Sequence, residues 1–536
     1  MKKRYVILIA VATLLAGFYA GSKIVSGIWR KQAVKLEYAI RAGGRSNKIS
    51  TLISAIDQIY VDSVNVDSIV EATLPLLLEK LDPHSAYFPA EEAQESNDEL
   101  HGSFSGIGIQ FTMQDDTIHV NNVIHGGPSE KVGVLAGDRI VYIDDSLFAG
   151  KGIPSNDIVR NLKGPDGTEV KIGVFRPGES GLLEFIIERG PIPVKSVDAA
   201  YMITDDIGYI ELNKFGETTY SEMMTGLARL RTEGCKKVII DLRGNTGGYL
   251  GTAIQIVNEF LPKGEMIVYT RGVHSHYEAE YANGRGNFKT LPMVILIDES
   301  SASASEILTG AIQDNDRGTI IGRRSFGKGL VQQPIDFADG SSIRLTIARY
   351  YTPSGRCIQK PYSDGGEEYA LDILKRWERG EFFSADSVHF DEDQIFKTKS
   401  GRTVYGGGGI MPDIFVPQDT IAYNEYYSSV IRKSLPNKFS LKYVDTHRQE
   451  LAKCGSWQAL TARIEADNVF SSFLGYVSEN GIERPASVPS EAMEQLKRVL
   501  YAGIIYDAME MQDYIAYINT FDSTVKKAIE VLQAEK

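Results

Sequence analysis

The sequence predicts a multidomain protein that combines an α/β core with a β-rich domain and helical terminal regions. Three observations support this class. The chain has 536 residues and a mass of 59.2 kDa, several times what one hydrophobic core needs. Short β-like runs separated by Gly and Pro fill residues 101–190. From residue 208 onward, strand-like and helix-like segments alternate. The chain therefore divides into several domains of different secondary structure.

The composition excludes several classes of protein. Hydrophobic residues make up 43% of the chain and charged residues 24%, which is ordinary for a folded protein. The formal charge of −13 would repel a phosphate backbone, so we expect no nucleic-acid partner. Cys235, Cys357 and Cys454 lie far apart and form no Cys-x-x-Cys pair. The sequence therefore indicates neither a disulfide framework nor a structural zinc site.

The N-terminus predicts export from the cytoplasm. A basic start, Met1 to Arg4, precedes an apolar run over residues 5–20, as in an export signal. The run is shorter than the roughly 20 residues of a full membrane span, but residues 21–29 extend it. A cleaved signal peptide and a membrane anchor within residues 1–29 both remain open, and the extension favours the anchor. We expect a periplasmic protein, or one anchored in the inner membrane and facing the periplasm.

The next two segments differ in the spacing of their apolar residues. In residues 30–100, apolar residues recur at helical spacing from Ile49 onward, and a second helical stretch over 69–81 ends at Asp82-Pro83. Residues 101–190 form the β-rich domain, whose predicted strands are residues 107–113, 118–123, 139–143, 170–176 and 182–188.

Residues 191–420 have the alternating pattern of an α/β core. Its predicted strands are residues 209–212, 237–242, 266–270 and 293–298, and its predicted helices are residues 221–231, 250–260 and 304–313. Within the core, residues 364–401 carry many charges and little periodicity, so we expect an insertion or a mobile surface segment. Residues 421–536 read as a polar helical region.

A serine-rich turn is the first candidate for chemistry. The apolar strand over 293–298 is followed by Glu-Ser-Ser-Ala-Ser-Ala-Ser-Glu over 299–306 and then by a helix. A serine at a helix N-terminus lies beside free N–H groups that can stabilise an oxyanion, so it is a candidate nucleophile. In the simpler interpretation a serine caps the helix and Glu306 completes a capping box. On this segment alone, the capping interpretation is the stronger one.

A glycine-rich segment supplies a candidate base. Residues 322–329 satisfy most of a Walker A pattern, but a strand rather than a helix follows them, so we reject nucleotide binding. In an extended segment, Lys328, Leu330 and Gln332 share one face. Burial among glycines and apolar residues would lower the pKa of Lys328 and allow its neutral amine to activate a serine. The alternative is a solvated loop lysine.

A second glycine-rich turn follows the strand over 237–242. Gly247 and Gly248 would let the backbone approach a ligand and offer N–H groups to it. Asp241 and Arg243 are better explained as a structural ion pair. No histidine lies in any of these turns, although His84 or His274 remains open as the base of a Ser-His-Asp triad.

Taken together, these motifs resemble the carboxy-terminal processing (tail-specific) serine proteases. The resemblance rests on Ser301-Ala-Ser-Ala-Ser-Glu306, Phe326-Gly-Lys-Gly329, Asp241-Leu-Arg-Gly-Asn245 and Tyr350-Tyr-Thr-Pro-Ser-Gly-Arg356. It covers roughly residues 50–420 in the order usual for the family, and several agreeing motifs are more specific than one. The resemblance implies a helical N-terminal segment, a PDZ domain over 101–190 and a protease core of the ClpP/crotonase type with a β subdomain.

The resemblance also implies roles for individual residues. Ser303 matches the family nucleophile, Lys328 the general base, and Gln332 the residue that orients the lysine. The oxyanion N–H groups would come from Ala304 and from either Gly247 or Gly248. No metal and no cofactor is implied. Agreement with the expected shared face of Lys328 and Gln332 overturns the capping-only interpretation of Ser303.

The β-rich domain is similar to PDZ domains. The similarity rests on Gly106-Ile-Gly-Ile109, Gly126-Gly-Pro-Ser-Glu130 and the segment over 162–168. It implies that Gly106, Ile107, Gly108 and Ile109 hold the carboxylate of a peptide C-terminus. Family members often carry an arginine where Lys163 stands, and it couples the PDZ domain to the protease. Lysine keeps the charge but not the bidentate geometry.

The sequence thus predicts a serine endopeptidase that binds proteins with apolar C-termini and cuts them with a Ser303/Lys328 dyad. Two alternatives remain, a peptide-binding scaffold with an inactive core and a Ser-His-Asp hydrolase. The N-terminus predicts membrane association. Self-assembly and an adaptor both stay open as partners.

Overall fold

The structure is a computed structural model that describes residues 48–363, 365–389, 392–419 and 424–534. The predicted signal or anchor over 1–29 lies outside the described residues. In the ranges that are described, no helix has the length and apolar character needed to cross a bilayer. The chain divides into two compact units, Met1–Leu81 and Asp82–Lys536.

The first unit contains two helices, α1 (Lys48–Ile59) and α2 (Val66–Leu78). The apolar spacing from Ile49 onward predicts α1. Helix α2 begins where the Asn65 side chain accepts a hydrogen bond from the Ser68 N–H at 3.1 Å. It starts and ends three residues before the predicted bounds of 69–81, because this cap fixes its first turn.

The second unit begins with β1 (Ala86–Phe88) and α3 (Ala90–His101), which lead into the β-rich domain. In this domain, β2 (Ser103–Gly106) pairs antiparallel with β9 (Gly190–Pro193), so the two ends of the domain's chain lie side by side. The main sheet has the order β3-β4-β5-β7-β8, with β6 paired to β5. Its elements are β3 (Ile109–Gln114), β4 (Thr117–Val123), α4 (Pro128–Val132), β5 (Arg139–Ile143), β6 (Ser146–Leu147), α5 (Ser155–Leu162), β7 (Glu169–Phe175) and β8 (Leu182–Glu188).

Strand β3 lies at one edge of this sheet. The observed strand β3 begins at Ile109, two residues after the predicted start at 107, because Gly108 adopts a positive φ of 76° immediately before it. The domain has its own core, which includes Ile118, Ile140 and Ile158, each exposed at 1% or less.

The α/β core is a six-stranded sheet of order β10-β11-β12-β15-β16-β21, parallel except for β10. Its strands are β10 (Val197–Met202), β11 (Ile207–Leu212), β12 (Lys237–Asp241), β15 (Met293–Ile297), β16 (Thr319–Gly322) and β21 (Ile414–Phe415). Its helices are α6 (Thr219–Thr232), α7 (Leu250–Phe260) and α8 (Ala304–Asp314). All five residues of β15 are buried, as a strand covered on both faces requires.

A second, antiparallel sheet has the order β1-β18-β13-β14, with β17 paired to β18. Its later strands are β13 (Met266–Arg271), β14 (Glu278–Tyr281), β17 (Leu330–Asp336) and β18 (Ser342–Tyr351). This sheet is the β subdomain, and it positions the chain around Lys328 immediately before β17.

The segment expected to be an insertion or mobile is largely folded. It contains α9 (Gly366–Ala370) and α10 (Asp372–Glu378), and it leads to the hairpin of β19 (Ile395–Lys397) and β20 (Thr403–Tyr405). Arg376 is 1% exposed and donates to the Ser325 carbonyl at 3.0 Å. Glu381, also buried, accepts from Arg324 and Arg376. These helices are short and stabilised by ion pairs, so the sequence of this segment has no apolar periodicity that predicts a helix.

The C-terminal region folds into helices α11 (Glu425–Arg432), α12 (Leu435–Leu451), α13 (Trp457–Ala466), α14 (Val469–Glu479), α15 (Ser490–Ala508), α16 (Met511–Asn519) and α17 (Ser523–Ala534). Helices α11 to α15 share a core that includes Phe473 and Leu496, both fully buried. Helix α17 instead packs Val525, Ala528 and Leu532 against the α/β sheet. The end of the C-terminal region is therefore part of the α/β core, whereas α11 to α15 form a core of their own.

We expect Leu532→Ala to lower the free energy of unfolding by about 2–5 kcal/mol, because a fully buried leucine is removed from the sheet face. Urea unfolding of the full chain measures the change. Lys526→Ala, on the exposed side of the same helix, is the control and should stay within about 0.5 kcal/mol. Equal unfolding midpoints for the two variants would show that α17 does not stabilise the core.

Candidate active site

Ser303 lies at the N-cap of α8, directly after the buried strand β15 and its turn. Its backbone has φ 55° and ψ −113°, a conformation that L-residues with a Cβ rarely adopt. Strain of this kind persists only where the surrounding structure enforces it, and it occurs mainly at functional sites. Ser303 is thus held in a tight strand-to-helix turn, a geometry suited to a nucleophile.

Glu306 enforces that turn. Its carboxylate is fully buried and accepts the Ser303 N–H at 2.9 Å. The same carboxylate accepts the Ser325 hydroxyl at 2.5 Å and the N–H groups of Gly327 and Lys328 at 2.7 and 2.9 Å. Burial raises the pKa of Glu306 to about 7, and these hydrogen bonds partly offset the effect. One side chain therefore joins the serine turn to the lysine segment.

Lys328 is partly buried, and its amine donates to Gln332 Oε1 at 2.9 Å. Gln332 in turn donates to the carbonyl of His84. Burial lowers the pKa of Lys328, and the Arg344 charge lowers it further, while Glu306 and Asp82 act in the opposite direction. The amine is therefore shifted toward its neutral form.

The contact between Lys328 and Gln332 is the one expected from the sequence, and Lys328 lies just before the strand that carries Gln332. Strand β17 begins only at Leu330, and its register against β18 shifts between Val331 and Gln332. The shift skips Ile347 of β18, so the run of β17 from Leu330 to Gln332 is continuous.

Ser303 and Lys328 line the same cleft, which has a volume of about 1740 Å³. The buried Tyr350 hydroxyl lies 3.1 Å from the Ser303 carbonyl oxygen and 2.6 Å from that of Lys328, so it links both backbones. Among the hydrogen bonds of the described residues, none joins Ser303 Oγ to Lys328 Nζ. The Lys328 amine donates its hydrogen bond to Gln332 instead.

The glycine turn packs directly on the serine. A Cβ added to Gly247 would lie 2.8 Å from Ser303 Cβ and 2.9 Å from the Ala304 nitrogen, so only glycine fits. The Gly247 N–H donates to Asn245 Oδ1 at 2.9 Å. The hydrogen bonds of the described residues include no acceptor for the N–H of Gly248 or of Ala304. Ala304 follows Ser303 in the chain, and Gly248 lines the same cleft as Ser303.

The other polar residues singled out in the sequence have structural contacts. Arg243 binds Asp241 at 2.6 Å and Asp522 of the C-terminal region at 2.8 Å, in keeping with a structural ion pair. His84 Nε2 lies 2.6 Å from the Tyr369 hydroxyl, and burial lowers the pKa of its imidazole to about 4. His274 is exposed. No set of three or more His, Cys, Asp or Glu side chains within the described ranges could hold a metal ion.

The turn over 82–85 belongs to the site, and sequence reasoning missed it. The Asp82 carboxylate accepts the N–H groups of His84 and Ser85, each at 2.8 Å, and the Ser85 hydroxyl at 2.6 Å. This turn fixes the His84 carbonyl that receives the Gln332 amide. The Asp82-Pro83 pair predicts a helix end, and an Asp followed by Ser three residues later is also typical of a turn capped by a side chain.

The predicted peptide-binding loop lies in the β-rich domain. The Ile107 carbonyl accepts the Ser129 N–H at 2.9 Å, and the Gly108 carbonyl accepts the Ile124 N–H at 3.0 Å. The loop is thus fixed beside the edge strand β3. The ammonium of Lys163 lies 4.7 Å from the centroid of the Phe104 ring, a contact within the same domain.

The cleft connects this domain to the catalytic candidates. Ile109 of the predicted loop and the neighbouring Gln110 line it, as do Gly247, Gly248 and Gln332. The structure therefore brings Ser303, Lys328, Gln332 and both glycines together, and it opens the same cleft toward the start of β3.

Three family models match the chain. Peptidase family S41 matches residues 206–365, a PDZ domain matches residues 105–185, and a family of unknown function matches residues 426–510. The β-rich domain is thus a PDZ domain, and the α/β core carries the peptidase match.

Individual proteins agree with these matches. The chain is 40% identical over 375 residues to a carboxy-terminal-processing protease of Bartonella bacilliformis, covering 69% of this chain and 84% of that protein. It is 31% identical over 370 residues to the carboxy-terminal processing protease CtpB of Bacillus subtilis, covering 67% of this chain and 76% of the relative. Among solved structures, the photosystem II D1 C-terminal processing protease is 23% identical, with a TM-score of 0.34, over 69% of this chain and 92% of that one.

The identities and coverage of the Bartonella and Bacillus proteins confirm the resemblance seen in the motifs. The chain belongs to the carboxy-terminal processing proteases of peptidase family S41 and is a serine-type peptidase with a PDZ domain.

Proposed function

We propose that the chain is an endopeptidase that captures apolar protein C-termini with its PDZ domain and cuts with a Ser303/Lys328 dyad. One observation carries the proposal. Lys328, whose amine is partly buried and held by Gln332, lines the same cleft as Ser303, whose backbone is strained at a helix N-terminus. A depressed lysine pKa beside a hydroxyl nucleophile is what Ser-Lys chemistry requires.

In the proposed reaction, the neutral Lys328 amine takes the proton from Ser303 Oγ as that oxygen bonds to the scissile carbonyl carbon. For this step the amine turns from Gln332 toward Ser303. The ammonium then gives its proton to the departing peptide nitrogen, and the C–N bond breaks. A water molecule, deprotonated by the regenerated amine, then attacks the carbonyl carbon of the acyl-serine ester. The bond from that carbon to Ser303 Oγ breaks, the Lys328 ammonium returns its proton to Oγ, and the product acid leaves and loses its own proton to solvent.

The proposed oxyanion site uses the N–H groups of Ala304 and Gly248. Gly247 is the poorer choice, because its N–H already donates to Asn245. The positive end of α8 adds to the stabilisation of the developing negative charge.

The alternatives have less support. A histidine base is disfavoured because His84 bonds to Tyr369 and His274 is exposed. A scaffold without activity would not require the strained serine or the held lysine.

Substrate capture is proposed to occur at Gly106 to Ile109 and along β3. An edge strand beside a glycine-containing loop offers main-chain groups to an added peptide strand and N–H groups to its carboxylate. We also propose that the chain is exported, a proposal supported by the basic and then apolar start of the sequence.

The first test uses the full chain in detergent with a folded reporter that carries an apolar or a charged unstructured tail. We expect Ser303→Ala and Lys328→Met each to lower cleavage of the apolar-tail reporter by at least about a thousandfold, since each removes a reacting group. The rate of reporter loss is measured by gel densitometry. Binding of the apolar tail should survive in Ser303→Ala.

Each outcome bears on one part of the proposal. Activity that persists in Lys328→Met would assign the base to another group. Equal cleavage of both tails would contradict the proposed role of an apolar C-terminus. No cleavage by the unaltered chain, with tail binding intact, would favour the scaffold.

The pH profile gives a second test. The kcat/KM of the unaltered chain should rise with pH through the lowered pKa of Lys328, because only the neutral amine accepts a proton. In Gln332→Glu, the added carboxylate stabilises the ammonium, so the rising limb should move upward by about one pH unit or more. Gln332→Leu removes an acceptor for the ammonium and should move the limb downward. A limb that stays in place in both variants would contradict a lysine base.

A further inference from the structure

The connection between α15 and α16, taken as residues 506–512 and including the adjoining helix ends, lines the cleft as well. Tyr506, Met509, Glu510, Met511 and Gln512 all contribute to its wall, together with residues of the PDZ domain and of the α/β core. These residues lie in the C-terminal region, outside the residues that match the peptidase family. The cleft is therefore a joint feature of three parts of the chain.

Two side chains of this connection are unusual for their region. Tyr506 is 47% exposed and Met511 is 37% exposed. Among described residues 424–534, they are the only large apolar side chains that are exposed, and both face the cleft. The rest of the helical region buries its large apolar groups at least partly. An apolar surface confined to a cleft indicates a binding site more than chance exposure does.

The connection is held in place from both sides. Gln512 Oε1 accepts the Ala200 N–H of β10 at 3.2 Å and is 3.3 Å from Arg229 Nη2. On the PDZ side, Asn121 donates to Asp507 at 3.4 Å, and Arg139 pairs with Asp445 at 3.6 Å. The wall is thus fixed between the PDZ domain and the protease sheet.

The edge of β10 offers little to an added peptide strand. The N–H groups of Ser196 and Val197 donate to Glu222 at 2.8 and 3.1 Å, and Gln512 occupies that of Ala200. A ligand at this part of the cleft therefore has side-chain contacts available rather than main-chain pairing.

The size and chemistry of the cleft indicate the ligand. A volume of about 1740 Å³ exceeds the roughly 300–1,000 Å³ of small-molecule pockets, so it suits a polypeptide segment. Methionine adapts to varied apolar partners, and tyrosine combines an apolar ring with a polar end. Such a surface fits many apolar sequences without selecting one.

We propose that Tyr506 and Met511 form an apolar subsite for the extended substrate segment that leads from the PDZ-bound C-terminus to Ser303. The ligand is a polypeptide with large apolar side chains upstream of its carboxylate. The subsite rests on the proposed function, since it presumes a tail held by the PDZ domain and a bond cut at Ser303.

The test measures binding in a full-length Ser303→Ala chain, where cleavage cannot interfere. One peptide contains only about four apolar C-terminal residues, the part that a PDZ domain holds. Two others extend it to about sixteen residues, up to about 55 Å when extended, with either Leu-rich or Ser-rich sequence. We expect the Leu-rich extension alone to tighten binding about tenfold, the factor that 1.4 kcal/mol gives. Adding Tyr506→Gln and Met511→Gln should abolish that gain and leave the short peptide unchanged.

Controls separate the subsite from a general folding effect. Tyr506→Phe with Met511→Leu keeps the apolar surface and should keep the gain. Ala462→Gln, at an exposed position of α13 that does not line the cleft, should also keep it. In the chain with Ser303 intact, Tyr506→Gln with Met511→Gln should raise KM for the apolar-tail reporter and leave kcat unchanged.

The outcomes are distinguishable. No gain from the Leu-rich extension, or a gain that survives Tyr506→Gln with Met511→Gln, would overturn the subsite. Loss of short-peptide binding in the same double variant would also overturn it, because the effect would then be structural. If the Leu-rich peptide binds in a way that depends on Tyr506 and Met511 but the short peptide does not bind, the result supports the subsite and contradicts capture of the tail by the PDZ domain.

Discussion

The candidate active site depends on one buried carboxylate. Glu306 accepts hydrogen bonds from the Ser303 and Lys328 N–H groups, and also from Ser325 and Gly327. A carboxylate without contact with water is costly unless donors surround it, so the four donors and the carboxylate constrain one another. The strained turn of Ser303 and the position of Lys328 are both consequences of this arrangement.

The antiparallel sheet also fixes the positions of Ser303 and Lys328. Tyr350 on β18 reaches the carbonyls of Ser303 and Lys328, and Gln332 on β17 holds the lysine amine. The Asp82 turn presents the His84 carbonyl to Gln332, and Tyr369 from the folded segment after residue 364 contacts the His84 ring. Because each partner of the lysine is itself held, the amine has a defined position before any substrate binds.

The C-terminal helices close the molecule around this site. Helix α17 covers the α/β sheet with Val525, Ala528 and Leu532, and the ion pair of Arg243 and Asp522 fastens it at the ends of the strands. Contacts from Asp445 and Asp507 reach the PDZ domain. The helical region therefore contacts both the PDZ domain and the α/β core, and it supplies part of the cleft that both line.

Local sequence patterns predict much of the secondary structure of this protein. Apolar alternation and periodicity predict β5, β8 and α7 at their observed bounds, and the serine and lysine motifs predict residues that line one cleft. Helix α3, a polar helix with only Ala93 buried, carried no such signal. Long-range contacts decided the rest. The packing of Gly247 on Ser303, the His84 carbonyl that accepts the Gln332 amide, and the exposure of Tyr506 and Met511 depend on which distant segments meet in space. A sequence pattern reports the burial of one element at a time, so only the tertiary structure could decide them.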